Sequence, residues 1–519
     1  MASLLLGRRF GTASAIGVLL LALLPALLPG ATAQAQPPGP VTCKDEPLPS
    51  QALMMGGVGA PQQPDLRVTG VCTVDAAKKY FYANVNILSG GSLEFEQPES
   101  GTADVDFWAK SIVVEANGAL TAGAKQPYGT PRLLDQLDGV LTIHLYGANQ
   151  SVDDSGAPAD PAKKPGEGVL CQSPLTEDSD KNEVPCGIPP KVWQSNGSVA
   201  LPSCDIDKTG LDCIPGLPVA AKDYFYDYGP LYGDGKCANG KTFSVSDGKA
   251  LCGSAAAAGK VGYFGYKVLA VSYGGTLTLR GYKGVAEGLD GPEEHLNSGN
   301  SWMRLKGDLK RDATTLAVDG TPAERWWLPT DKHRDQIVVT TTDYLPGHSE
   351  LLTISQVQGD DVTFTPAIKW FHSGTRFVLK NKLKEYQDAK RMSIDPKLVA
   401  SGAETRAAVA LLTRSIRIVS EGDTAGEDFK TAADRTLCPD GKTKGCYYFG
   451  GHTIFRQGFK KVQIQGVEFV DLGQGGKLGH YPVHFHEDRQ VPPDTFVKDS
   501  SVNGSNTHWY VIHSTQGVT

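Results

Sequence analysis

From Cys72 onward, short runs of alternating apolar and polar residues are separated by glycine corners. NILSGGSLEF at 86–95, IVVEANGAL at 112–120 and VLAVSYGGTLTL at 268–279 share one plan. Each is a strand, a tight turn at Gly-Gly or Asn-Gly, and a second strand that alternates apolar with polar. Such a unit cannot bury an apolar face alone, so it must stack on its neighbours. The pattern predicts an all-β solenoid or sandwich over residues 72–285. The preceding stretch, 36–71, is rich in Pro, Gly and Gln and reads as an extended lead-in.

The period breaks at about 148–262. That segment holds six of the ten cysteines, lacks periodic apolar surface, and is followed at once by the next repeat. It reads as a disulfide-stapled insertion rather than a new domain. A linking β-region at 300–412 carries further strand patterns, TTLAV at 314–318, QIVVT at 336–340, ELLTI at 350–354 and VTFT at 362–365, and the clearest helical pattern falls at 383–392. From Ser415 onward strands recur at irregular spacing without alternating helices, which predicts the start of a right-handed parallel β-helix at 413–519. An antiparallel sandwich fits the same periodicity, because pattern does not give strand order. The last apolar strand lies close to Thr519 with no capping element after it, and a solenoid needs one. The expectation is a piece of a longer protein.

Composition narrows the class. With 60 Gly and 33 Pro in 519 residues the chain is turn-rich, short of the roughly 25% Gly plus Pro of unpatterned disorder. A net charge of −7 offers no basic footprint for nucleic acid. Arg8 and Arg9 precede an apolar stretch from Ile16 to Leu28, and Ala31-Thr-Ala33 or Ala33-Gln-Ala35 supplies a cleavage site. The stretch is too short to span a bilayer. Residues 1–35 therefore read as a signal peptide, and the protein as secreted, cell-surface or periplasmic, with no transmembrane segment beyond the signal peptide. Ten cysteines in an exported chain read as disulfides. Neighbour pairing is the simplest scheme: Cys43–Cys72, Cys171–Cys186, Cys204–Cys213, Cys237–Cys252 and Cys438–Cys446.

Several segments are similar to a known module. PYG at 127–129, GVLTIHLYG at 139–147 and GGTLTLRG at 274–281 resemble landmarks of the G8 domain. SWMRL at 301–305, DQIVVTTTDY at 335–344, RAAVALLTR at 406–414 and GGH at 450–452 resemble the segments that follow it. GFKKVQIQGVEF at 458–469 and HYPVHFH at 480–486 are the most specific. Together they resemble the cell-migration-inducing and hyaluronan-binding protein family and its transmembrane hyaluronidase relatives. The resemblance implies a G8 domain feeding a pectate-lyase-like parallel β-helix, on an extracellular protein that degrades or binds hyaluronan. It also implies calcium as a cofactor in some members. The Cys-rich insertion departs from that pattern.

Six of eleven histidines (His452, His480, His484, His486, His508 and His513) lie near the C-terminal end of the sequence. Alternate residues of a strand share a face, so His484 and His486 point one way, Val483 and Phe485 the other. If the histidine face looks outward, it lines a groove with His480 nearby and His508 and His513 on the next coil. Imidazole titrates near neutrality and serves as acid or base on a glycosidic bond. It equally binds a divalent metal, or forms a stacked ladder that only joins coils.

Carboxylates at Glu468, Asp471, Glu487, Asp488 and Asp499 are the candidates for a sugar-hydrolysing pair. The catalytic candidates are His484, His486 and Asp499; the substrate-binding ones are His480, His508, His513 and Arg456. A lyase would use a basic residue instead, with Arg456, Lys477 and Arg489 available. Asp205-Ile-Asp-Lys-Thr-Gly resembles half of a calcium loop but lacks the acid at its twelfth position, and Asp223-Tyr-Phe-Tyr-Asp-Tyr228 offers rings for sugar stacking. The expected partner is a hyaluronan-like polysaccharide; the leading reading is a hyaluronidase-like glycosidase with the His480–His513 region lining its cleft, and the alternative a non-catalytic extracellular glycan-binding or adhesion module.

Overall fold

The computed structural model describes residues 40–48, 63–95, 104–123, 140–147, 264–284, 301–326, 335–377, 402–429 and 448–519, with internal gaps of one to three residues, and seven short strands between 176 and 251. Residues 1–35, read above as a signal peptide, the helical pattern at 383–392, the half calcium loop, the aromatic run at 223–228 and Lys477 lie outside the described residues. So do the side chains of Glu487 and Arg489.

Three parallel sheets run through the molecule. The first stacks Val41–Cys43, Leu66–Val68, Asn84–Ile87, Ser111–Val114, Val268–Val271, His452–Arg456, Val483–Gln490 and Tyr510–Gln516. The second stacks seven strands, from Glu46–Pro47 to Phe496–Lys498, and the third six, from Lys79–Phe81 to Ser501–Asn503. The chain visits the three sheets in turn, as in Asn84–Ile87, Ser92–Phe95 and Val105–Ala109, and each strand pairs in parallel with its counterpart one coil on. This is a parallel β-helix. Among the described residues its coils begin at Val41, and the same sheets run on through residue 413.

Alternation fills the interior. Val85, Ile87, Leu93, Phe107, Leu120, Ile143, Leu269, Phe455 and Phe485 all belong to one buried core. Each such side chain contributes about 1.5–3 kcal/mol by leaving water. The glycine repeats are the corners between the first and second sheets. There the amides of Ser92, Ala119, Thr276 and Lys460 donate to the carbonyls of Gly70, Gly91, Gly118 and Gly275, each at 2.9 Å. A Cβ on Gly91 would stand 2.2 Å from the Val68 carbonyl oxygen of the coil before, so only glycine fits. Cys43 and Cys72 form a disulfide, the first of the neighbour pairs; the other cysteines lie outside the described side chains.

Two long segments leave the helix at corners. One lies between Leu141–Leu145 and Val268–Val271, and its described strands pair antiparallel. The other, between Thr276–Arg280 and Ile416–Ser420, forms an antiparallel six-stranded sheet whose two edge strands meet at Leu305 and Val318. It closes around a core of its own that includes Trp326, Ile337 and Phe364. Coil register survives both excursions, with Val268 beside His452 and Leu141 beside Ile416. Among the described residues, no helix is long and apolar enough to cross a membrane.

Candidate functional site

The strand Val483–Gln490 lies in the first sheet between His452–Arg456 and Tyr510–Gln516. Val483 and Phe485 point into the core, and the Phe455 and Phe485 rings stand 4.7 Å apart. Their neighbours His484 and His486 take the outer face. Register then sets Arg456, His486 and His513 side by side on three successive coils. The Arg456 guanidinium rests 4.8 Å from the Phe264 ring.

His484 is almost fully buried under the 478–481 segment, 1% exposed, with Tyr481 edge-on at 4.9 Å. Its Nδ1 donates to the Gly479 carbonyl at 2.9 Å. A carbonyl only accepts, so the proton sits on Nδ1 and Nε2 keeps its lone pair. Burial, reinforced by the neighbouring His486, pushes the His484 pKa down to about 3, and the ring stays neutral. The His486 and His513 rings stack at 5.2 Å with their Nδ1 atoms 3.1 Å apart, one donating to the other. One ring nitrogen from each of His484, His486 and His513 lies within 4.8 Å of the other two.

The remaining histidines flank this group. His480 donates through Nδ1 to the Leu478 carbonyl at 2.9 Å, and its ring is 4.6 Å from buried His452. His508 stands 5.6 Å from Tyr481. The sequence assigned no role to His452 or Tyr481; the density of aromatic and imidazole rings around HYPVHFH was the available signal.

Asp499 stands apart. It occupies the corner between the second and third sheets, where its carboxylate accepts from Ser301 Oγ and from Gln465 Nε2 at 3.1 Å. Its carbonyl accepts from buried Arg414 at 2.7 Å. The structure thus places it where the inserted sheet meets the helix, at a corner between the second and third sheets, whereas the imidazoles lie along strands of the first. Glu468 is ion-paired with Arg417 at 2.9 Å on the third sheet. Asp471 follows that strand at the next corner and accepts through its carbonyl from Asn506 at 3.1 Å. Asp488 is buried at an irregularity in the His486 strand. Among the described residues, no carboxylate joins the three imidazoles whose ring nitrogens lie within 4.8 Å of one another.

A family model described as CEMIP beta-helix matches residues 448–519, the coils that carry all six of these histidines. A G8 domain-containing protein of Dictyostelium discoideum is 23% identical over 491 residues, 84% of this chain and 37% of its own. The cell migration-inducing and hyaluronan-binding protein of Mus musculus is 33% identical over 125 residues, 22% of this chain and 8% of its own. The chain is a G8- and CEMIP-like protein. Communication mutant protein F of Dictyostelium discoideum, 26% identical over 260 residues, is matched over 50% of this chain and 17% of its own. This CEMIP-like chain thus matches well under half the length of each of these relatives.

Proposed function

We propose that this is an exported polysaccharide-active protein that holds a hyaluronan-like polyanion along the outer face of its first sheet. The observation that carries the reading is the column Arg456, His486 and His513, one donor-bearing side chain per coil, none of them buried. Coils repeat at about 4.8 Å, so the column offers a row of contacts to an extended chain. The mouse relative's name, which includes hyaluronan binding, supports the choice of glycan.

Binding is put first because the column presents hydrogen-bonding side chains on three successive coils. A glycosidase remains the second reading because the neutral His484 ring keeps a bare Nε2. The test is to pass the secreted protein over immobilised hyaluronan and, separately, to size hyaluronan after incubation. Retention that weakens in Arg456→Ala and His513→Ala supports binding. Shortened chains that disappear in His484→Ala support the glycosidase. Neither retention nor shortening overturns the reading.

A further inference from the structure

We propose that His484, His486 and His513 form a three-imidazole site for a divalent transition-metal ion on the outer wall of the β-helix. Two of the ligands are an i, i+2 pair on one strand, and the third is the in-register partner of His486 on the next coil. The sheet ladder, not a loop, sets the backbone positions. One ring nitrogen of each lies within 4.8 Å of the others, and those of His486 and His513 are 3.1 Å apart. Two nitrogens bound at about 2.0–2.1 Å to a tetrahedral ion stand roughly 3.3 Å apart. Small rotations of the half-buried His486 and exposed His513 side chains bring the set to that geometry.

The second shell fits as well. A metal-bound imidazole typically donates its other nitrogen to a carbonyl or carboxylate, which fixes the ring. His484 does this through Nδ1 to Gly479, leaving Nε2 as its ligand atom. Nitrogen donors select zinc, copper, nickel or iron, whereas calcium takes oxygen ligands. Exposure rises from buried His484 through His486 to His513, so an ion here keeps a coordination position open to solvent. Three neutral ligands leave the ion's charge uncompensated. An anionic group of the polymer would meet that charge, a step that rests on the glycan reading.

The experiment uses the full secreted chain, stripped with chelator and titrated with zinc chloride in a calorimeter, with cobalt(II) absorption as a second readout of ligand geometry. One equivalent of zinc is expected. His486→Ala and the exposed His513→Ala should each weaken it at least about tenfold, while His348→Ala, in the inserted sheet, leaves it unchanged. Absence of zinc uptake, or uptake untouched in both His486→Ala and His513→Ala, overturns the proposal and leaves a stacked ladder. Hyaluronan retention is scored separately on metal-free protein, so a failed glycan reading and a failed metal site give different results.

Discussion

Lys283 sets its ammonium against both carboxylate oxygens of Asp335, at 2.9 and 2.8 Å, with both side chains buried. Lys283 follows the second-sheet strand Thr276–Arg280, and Asp335 precedes Gln336–Val339 of the inserted sheet. The pair therefore ties the insertion to the helix. Removing one member strands a buried charge, which typically lowers stability by about 3–5 kcal/mol. Lys283→Met is expected to show a loss of that order in urea unfolding. The double variant Lys283→Met/Asp335→Leu should recover most of it.

Neighbouring positions on the histidine strand should behave oppositely. Phe485 is in the core and His486 on the wall. Phe485→Ala is expected to lower stability by about 3–5 kcal/mol. His486→Ala should stay within about 0.5 kcal/mol in metal-free buffer. Thermal unfolding of both variants checks the alternation directly.

Gly91 and Gly90 are adjacent but differ in what a methyl would meet. A Cβ at Gly91 strikes the Val68 carbonyl, whereas one at Gly90 meets nothing within 4 Å and suffers only from the left-handed backbone, φ +82. Gly91→Ala is expected to cost about 1–3 kcal/mol through overpacking against an unyielding carbonyl. Gly90→Ala should cost about 1–2 kcal/mol. The ordering of their melting temperatures is the readout.

His144 gives the molecule a pH dependence of known sign. Its ring stacks on Trp108 at 4.0 Å and bridges Asp106 at 3.1 Å and Glu421 at 2.6 Å. Burial opposes its charge, but the hydrogen bonds to Asp106 and Glu421 outweigh that and raise its pKa. The folded state therefore holds this proton more tightly than the unfolded chain. The resulting stabilisation is complete below about pH 6.5 and is lost as pH rises through the folded value. Unfolding free energy measured from pH 5.5 to 9 should fall in the wild type, and fall less in His144→Gln.

The repeated corners and the alternation of Val483 to His486 were legible because each depends on neighbours within a few residues. Two features were not. Strand period is the same for coils and for antiparallel sheets, so QIVVT and ELLTI did not reveal that they face each other as Gln336–Val339 and Glu350–Gln358. The place of Asp499 depends on where the inserted sheet begins and ends, at Ser301 and Arg414, a relation between residues far apart in sequence. The burial of His484 likewise comes from the 478–481 segment folding back over it, and no local pattern announces that.

Ser301 and Arg414 both reach Asp499, so the inserted sheet starts and finishes at one point of the wall. With those two ends held together, the fifth coil closes across a short gap, and the entropic cost of closing it falls toward that of a small loop. Until they meet, the edge at Leu141–Leu145 waits for its partner Ile416–Ser420. An unpaired strand edge of that kind is a template for mispairing.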